Sequence, residues 1–526
     1  MSARGLALLL PALLASVGAS VGAAVGGGRE PGGRGAPVPS DGVDTAFLRD
    51  VARDLASDAF AGRRTGTAGG RRAADYIVER CRGMGLLPLP APSYRQPVPL
   101  TERSIDSAGT TVRITGPGVD TTFAYFADFV PDVGTAATLR GFEGELVYVG
   151  RAVDVVATPD LLPPLGGAVV LLRGELGAAV GAADTLRARG ARGVLEVVAD
   201  PHRYRLYRKT RGPTRLHLAD GDVASSFIPS LPAVITGPRM TVTLYTGLTG
   251  VSAGSWNDAL INGLASGLPR PRVLHGWRAS VRFAGDSRPM HADNVACLLP
   301  GRDSLARDSA IVLAAHYDHL GVGVPDERGD SIYNGFADNA VGVAMALAIA
   351  RSLTPASGGA AATPRHSLVL LFSVGEEQGL LGADWFVAHP SWPLSRITGV
   401  VNLDANAPAG RPRSWRVAGD EDAPLTALVE AEARRHGWEA TPAPASPASD
   451  YYAFLRRGVP SVFFVPSGGS YEGVSLLASD SMRASMSDRY HQPDDEWTPD
   501  FPFAGIERYA DFTRDVVRAM DEGAER

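Results

Sequence analysis

Five side chains able to bind a metal follow one another along the second half of the chain: His316, Asp338, Glu377, Asp404 and His491. Each stands where a predicted strand ends, where a helix begins, or in a polar loop. Open α/β sheets bind their ligands in the crevice beyond the carboxyl ends of their strands. Two histidines and three carboxylates suffice for a pair of zinc ions if one carboxylate is shared between them.

Taken singly, each motif has an ordinary explanation. Ile311–Gly321 carries an apolar β-type run into His316-Tyr-Asp318. Residues two apart on a strand share a face, so Asp318 is placed to support His316 from a second layer. Alone, His-x-Asp reads as a polar loop. Asp338 and Asn339 precede a run of small helix formers, a place where side-chain oxygens usually cap free N–H groups. Ser367–Ser373 reads as a buried parallel strand and runs almost at once into Glu376-Glu377. Adjacent carboxylates there are costly unless something positive neutralises them. A metal does so, leaving one Glu to bind it and its neighbour to act on water. Thr398–Asp404 again ends an apolar strand in an acid, and Tyr490-His491 lies in a loop before the C-terminal helix. The ordered set outweighs the separate explanations.

These motifs resemble the co-catalytic dizinc exopeptidases, which include bacterial secreted aminopeptidases and glutamate carboxypeptidases. The likeness runs from about Asn294 to the C-terminus, with a further segment near the N-terminus. It implies that His316 and Asp404 hold one zinc and that Glu377 and His491 hold the other. Asp338 would bridge them, Glu376 would be the general base, and Tyr490 would help stabilise the oxyanion. The chain departs from the family at Ala337, where a second acid is common, and at Val341. In Ser449-Asp450-Tyr451, a tyrosine replaces the family histidine. Ser470–Arg489 reads as an insertion that could wall or cover the cleft.

The elements that position these residues imply an α/β fold: a mixed, mostly parallel central sheet flanked by helices, with a smaller β-rich inserted domain. Residues 1–25 read as an export signal and 26–40 as a Gly/Pro/Arg-rich linker; an uncleaved membrane anchor is the rival reading of the apolar start. The expected peptidase domain opens over 41–104, is interrupted at 105–279, and resumes over 280–526. The interrupting stretch resembles the protease-associated domain that some members insert here, with either a gating role or that of an inert spacer.

At 526 residues the chain can bury a large core. A formal charge of −6 gives no polycationic character for nucleic acid. The basic run His202–Arg211 reads as a solvated loop or strand face. Only Cys81 and Cys297 occur; they read as small buried residues, and their pairing stays open. Ser373 and Ser449 lack the elbow context of a serine hydrolase, and no His-Glu-x-x-His helix is present. The favoured expectation is a secreted or periplasmic zinc aminopeptidase with two Zn²⁺ ions per chain, acting on peptides or proteins, without nucleic-acid partners or stable membrane insertion. A zinc carboxypeptidase, a glutaminyl cyclase and a non-catalytic binding protein on the same scaffold are the alternatives.

Overall fold

In the computed structural model the described residues are 42–523, apart from 132–139, 199–203, 206, 209–213, 222, 224, 226–230, 251–269, 359–362 and 405–406. The expected export signal and linker therefore lie outside the described residues.

Six strands matter most for the site: β1 (Arg95–Ile105), β2 (Gly285–Leu299), β3 (Ala310–His316), β4 (Ser367–Ser373), β5 (Ile397–Asn402) and β6 (Ser461–Pro466). All seven residues of β3 and of β4 are buried, as expected of central strands covered on both faces. The main sheet runs Glu439–Pro444, Ser414–Gly419, β6, β5, β3, β4, β2, β1 and Thr214–Leu218. β6, β5, β3 and β4 are mutually parallel; β2 joins β4 antiparallel, and β1 joins β2 antiparallel. The sheet is thus mixed, with its parallel part in the middle.

After β3 the chain goes to β4 on one side, then crosses to β5 on the other. Strand order therefore reverses at β3, and a crevice opens beyond its carboxyl end. Register makes the ends level. His316 pairs with Ser373, and Ala314 pairs with Asn402, so Asp404 falls two residues further on, beside His316.

Helices cover both faces. α1 (Ala68–Gly83) starts where Thr67 Oγ1 accepts the Gly70 N–H, and it buries Ala73, Ala74, Ile77, Val78 and Cys81. α2 (Val341–Ser352) buries its first ten residues on every side, so its small side chains pack against the sheet and against other helices. α3 (Leu476–Asp488) lies within the segment expected to be an insertion. α4 (Ala504–Gly523) closes the chain, with Ile506, Tyr509, Phe512, Val516 and Val517 on its buried stripe.

A second sheet of eight strands is built between Thr111 and Arg282 around its own core of residues such as Ile114, Phe123, Leu146, Leu171 and Trp277. One piece of this stretch, Thr214–Leu218, does not stay with it. It pairs with Leu100–Ser104 at the edge of the main sheet. In the basic run, Tyr204 and Tyr207 are buried against Val130, Val198 and Ile235, so its tyrosines anchor the segment instead of lying in solvent as expected. Among the described residues, no helix is long and apolar enough to cross a membrane.

Cys81 of α1 and Cys297 of β2 form a disulfide across a sequence separation of 216. Both sulfurs are buried, so the bond joins the opening helix to the sheet through the core. Closing a loop of that length restricts the unfolded chain by about 5 kcal/mol in the chain-entropy picture, and natural disulfides typically contribute roughly 2–5 kcal/mol. Replacing both cysteines by alanine is expected to lower the unfolding free energy, read from the guanidinium midpoint and slope, by an amount in that range. An unchanged midpoint would mean that the bond does not constrain the unfolded chain.

Candidate active site

The sequence places its acids where the strands stop, and the fold brings them together. His316 is the last residue of β3, and its Nε2 lies 2.9 Å from Asp404 Oδ1 and 3.2 Å from Asp338 Oδ1. On the other side of Asp338, His491 Nε2 lies 3.0 Å from Asp338 Oδ2 and 3.1 Å from Glu377 Oε2. One buried carboxylate thus turns one oxygen to each histidine. All five residues named from the sequence converge on one place.

The donor set fits metal ions on its own geometry. His316, Asp338 and Asp404 present three ligand atoms within 4.8 Å of one another, and so do His319, Asp338 and Glu377. His491 Nε2 is buried and makes no properly directed hydrogen bond despite its two close oxygens. Ligand atoms around a common ion behave in this way, pointing at a shared centre instead of at each other.

Without a cation the acids and histidines act on one another. Burial disfavours a charged His316, yet Asp404 and Glu376 outweigh it and hold the imidazole well above its ordinary pKa. Burial likewise pushes against ionised Asp338, but the close imidazoles of His316 and His491 bring it well below the usual carboxylate range. Glu377 is held down to about 2 against the burial effect, chiefly by His491, and His491 is raised to about 10, chiefly by Glu377. Glu376 behaves differently. Burial, reinforced by Asp404, Glu377 and Asp450, raises it well above the carboxylate range although His316 pulls the other way. Two adjacent glutamates with opposite shifts are suited to different work, one as a ligand and one as a carrier of protons.

Local sequence explains the placements. Glu376-Glu377-Gln378 forms a tight 3₁₀ turn between Gly375 at φ 75° and Gly379 at φ 114°, conformations that side chains other than glycine rarely adopt. Asn294 of β2 clamps the following helix start: its Nδ2 donates to Gly382 O and its Oδ1 accepts from Val374 N. Asp318 accepts the Glu376 N–H at 3.2 Å and is itself held by Thr65 Oγ1 at 2.9 Å. His316 Nδ1 is 3.1 Å from the Asp318 carbonyl and 3.8 Å from its carboxylate, so Asp318 touches the site mainly through the Glu376 turn. Among the described residues, the Glu376 carboxylate takes no hydrogen bond or ion pair, so it remains available to the cleft.

Asp338 is not the helix cap its position suggests. It sits in a non-helical turn ahead of α2, and Asn339 does the capping instead: its Oδ1 accepts the Gly342 N–H and its Nδ2 donates to Leu403 O. Relieved of that task, the Asp338 carboxylate is turned to the histidines. Asp495 fixes the same turn from the far side by accepting the N–H groups of Ala337 and Asp338.

Three further residues belong to the site. His319, fully buried, places Nδ1 2.6 Å from Glu377 Oε1, leaving Oε2 toward His491. Asp450, buried beside Ser373, is pushed up to about 7 by burial against the pull of His316 and its Ser373 hydrogen bond. Arg63 lies under the centre with 1% exposure. Its guanidinium donates to the carbonyls of Tyr317, Leu55, Asn334 and Gly335. Burial lowers its pKa to about 10, partly offset by Asp338 and Asp495. Only the Asp450 segment had a sequence cue. Tyr451, standing where the family has histidine, is fully buried, and its hydroxyl bonds to the Ser446 backbone. Tyr490 is 47% exposed and stacks on His491, with ring centroids 3.8 Å apart.

Comparison with known proteins gives a consistent picture. Residues 294–516 match the family described as Peptidase family M28. A probable zinc metalloprotease of Phaeosphaeria nodorum is 29% identical over 147 residues, which is 25% of this chain and 28% of that protein. A vacuolar membrane protease of Yarrowia lipolytica is 29% identical over 126 residues, 24% of this chain and 11% of that protein. The matched segment thus spans about a quarter or less of these curated relatives. In overall fold the chain is similar to an aminopeptidase from Aneurinibacillus sp. strain AM-1, with TM-score 0.51 and 17% identity, covering 91% of this chain and 94% of that one.

Arg63 supplies a test of the support beneath the centre. Arg63→Met keeps much of the bulk but leaves buried carbonyls without donors and removes a buried positive charge. It is expected to destabilise the fold by about 3–5 kcal/mol in guanidinium unfolding. A loss below about 1 kcal/mol would show that the carbonyls find other donors.

Proposed function

We propose that the protein, whose residues 294–516 match the family described as Peptidase family M28, is an exported zinc aminopeptidase that removes N-terminal residues from peptides and proteins. The observation that carries the reading is the division of Asp338, whose two oxygens serve two separate histidine–carboxylate sets. In this reading His316 and Asp404 hold one zinc, Glu377 and His491 hold the other, and Asp338 is shared. Bound there, zinc would supply an acidified water and a polarised scissile carbonyl.

The chain's own residues do the rest. Glu376 accepts a proton from the attacking water and delivers it to the departing amine, so no covalent enzyme intermediate is needed. Its carboxylate, which takes no hydrogen bond or ion pair among the described residues, supports that role. Asp318 is a positioning residue, since it holds the backbone of Glu376. Tyr490, exposed beside Asp338 at the mouth of the site, offers its hydroxyl to the oxyanion. His319 selects which oxygen of Glu377 is left for the metal, as partners behind a ligand commonly do.

Export rests on the apolar, positively started N-terminus and on the buried disulfide, a bond that persists in oxidising compartments. The second sheet, Thr111–Arg282, takes the part of a protease-associated domain.

Two adjacent glutamates provide the test. Glu376→Gln is expected to reduce kcat by roughly 10²–10⁴-fold while zinc content stays at two ions per chain. Glu377→Ala is expected to lose about one ion after dialysis. The reverse pattern would sink the assignment. Aminoacyl p-nitroanilides should be cleaved and their N-acetylated forms should not. Cleavage only of blocked peptides from the carboxyl end would establish a carboxypeptidase instead. Cyclisation of N-terminal glutamine would indicate a cyclase, and no turnover of any of them a binding protein.

A further inference from the structure

Beside Asp338 the cleft wall is made by α3 and its flanking residues. They enclose a cavity of about 240 Å³ lined by Asp338, Tyr471, Arg483, Met486, Ser487 and Tyr490, among others. That space accepts one side chain or one terminal residue of a peptide. Among the described residues lining it, Arg483 is the one cation.

Arg483 is held but not satisfied. Its Nη2 pairs with Asp480 one turn back, a residue whose side chain is 58% exposed, so the pair is weakened by water. Its guanidinium lies over the ring of Tyr471, 5.2 Å from the centroid. Tyr471 is buried, and its N–H is fixed by Ser479 Oγ at 2.9 Å. Arg483 Nη1 is buried and has no hydrogen-bond partner. A buried, charged donor without an acceptor is costly, and the other acid lining the cavity does not meet the need: Asp495 is engaged with the N–H groups of Ala337 and Asp338.

We propose that Arg483 receives a carboxylate of the substrate, so that the enzyme prefers peptides carrying an acid next to the bond it cuts. The proposal rests on the peptidase reading above and names its substrate class. A guanidinium suits a carboxylate, and because the Asp480 partner of Nη2 is exposed to water, a substrate carboxylate can take its place on that edge. Because the cavity borders Asp338, a substrate with its scissile carbonyl at the metal ligands puts the neighbouring residue within it. The carboxylate comes either from an acidic N-terminal side chain or from the free carboxyl end of a dipeptide.

The test uses the full-length zinc-loaded protein. Values of kcat/KM are compared for Glu- against Gln-p-nitroanilide and for Leu-Gly against Leu-Gly-amide. The wild type, Arg483→Gln and Arg483→Lys are measured, and calorimetric binding of free glutamate is set against glutamine. The acid of at least one pair is expected to be preferred by about 10-fold or more. That ratio should collapse in Arg483→Gln and return in part in Arg483→Lys. Preference in the first pair marks a side-chain acid, and in the second a terminal carboxylate. Acid-to-neutral ratios near one in both pairs, or ratios unchanged in Arg483→Gln, would overturn the proposal. Should Arg483→Gln fail to fold, the wild-type ratio decides, through its size at low salt and its fall as salt is raised. If no aminoacyl substrate is turned over, the aminopeptidase reading fails; the binding comparison then still judges Arg483.

Discussion

A concentration of negative charge that water cannot screen governs this molecule. Asp338, Glu377 and Asp404 meet in a buried crevice with Glu376, Asp318 and Asp450 close by. Such a set is untenable in a low-dielectric interior unless cations and aligned donors balance it. The sheet reversal at β3, the glycine-bounded turn after β4 and the Asn294 clamp all keep the acids from moving apart. Arg63 complements them from beneath by binding the backbone of the loops that carry them, not the acids themselves.

This arrangement accounts for how the site reads in the sequence. The five ligand residues were legible because each follows an apolar run or precedes a helix, and strand ends are local features. The mixed sheet was legible for the same reason, from the length and composition of β3, β4 and β5. Taken alone, Asp338 has the same capacity to cap as its neighbour Asn339, and only the turn's shape decides between them. His319 carries no signal, since a histidine three residues past another in a loop has no period to betray it. Arg63 lies more than 250 residues from three of the carbonyls it binds. Contacts of that range leave no pattern in a single chain. The disulfide is of the same kind, with both partners looking like small core residues until the sheet brings them together.

The cleft is a composite in the same sense. Its metal-facing side comes from strand ends whose chemistry admits little change. Its opposite wall, with Tyr471, Arg483 and Met486, comes from a helical segment outside the sheet. The two walls come from separate stretches of chain, and Asp338 and Tyr490 both line the cavity between them.

The strand Thr214–Leu218, contributed by the stretch that otherwise builds the second sheet, has a bearing on solubility. β1 would be the outer strand of the main sheet, with eleven residues of backbone donors and acceptors open to a neighbouring molecule. Its first half contains Pro97 and Pro99, which cannot donate to a partner strand, and its second half, Leu100–Ser104, is the part that Thr214–Leu218 covers. At this edge the sheet thereby ends in a five-residue strand, a short template for strand addition. Excising the intervening stretch at the Ile105–Gly285 pairing would leave the active-site residues in place and a sticky edge behind. Thr214–Leu218 thus caps backbone that would otherwise lie open to strand addition.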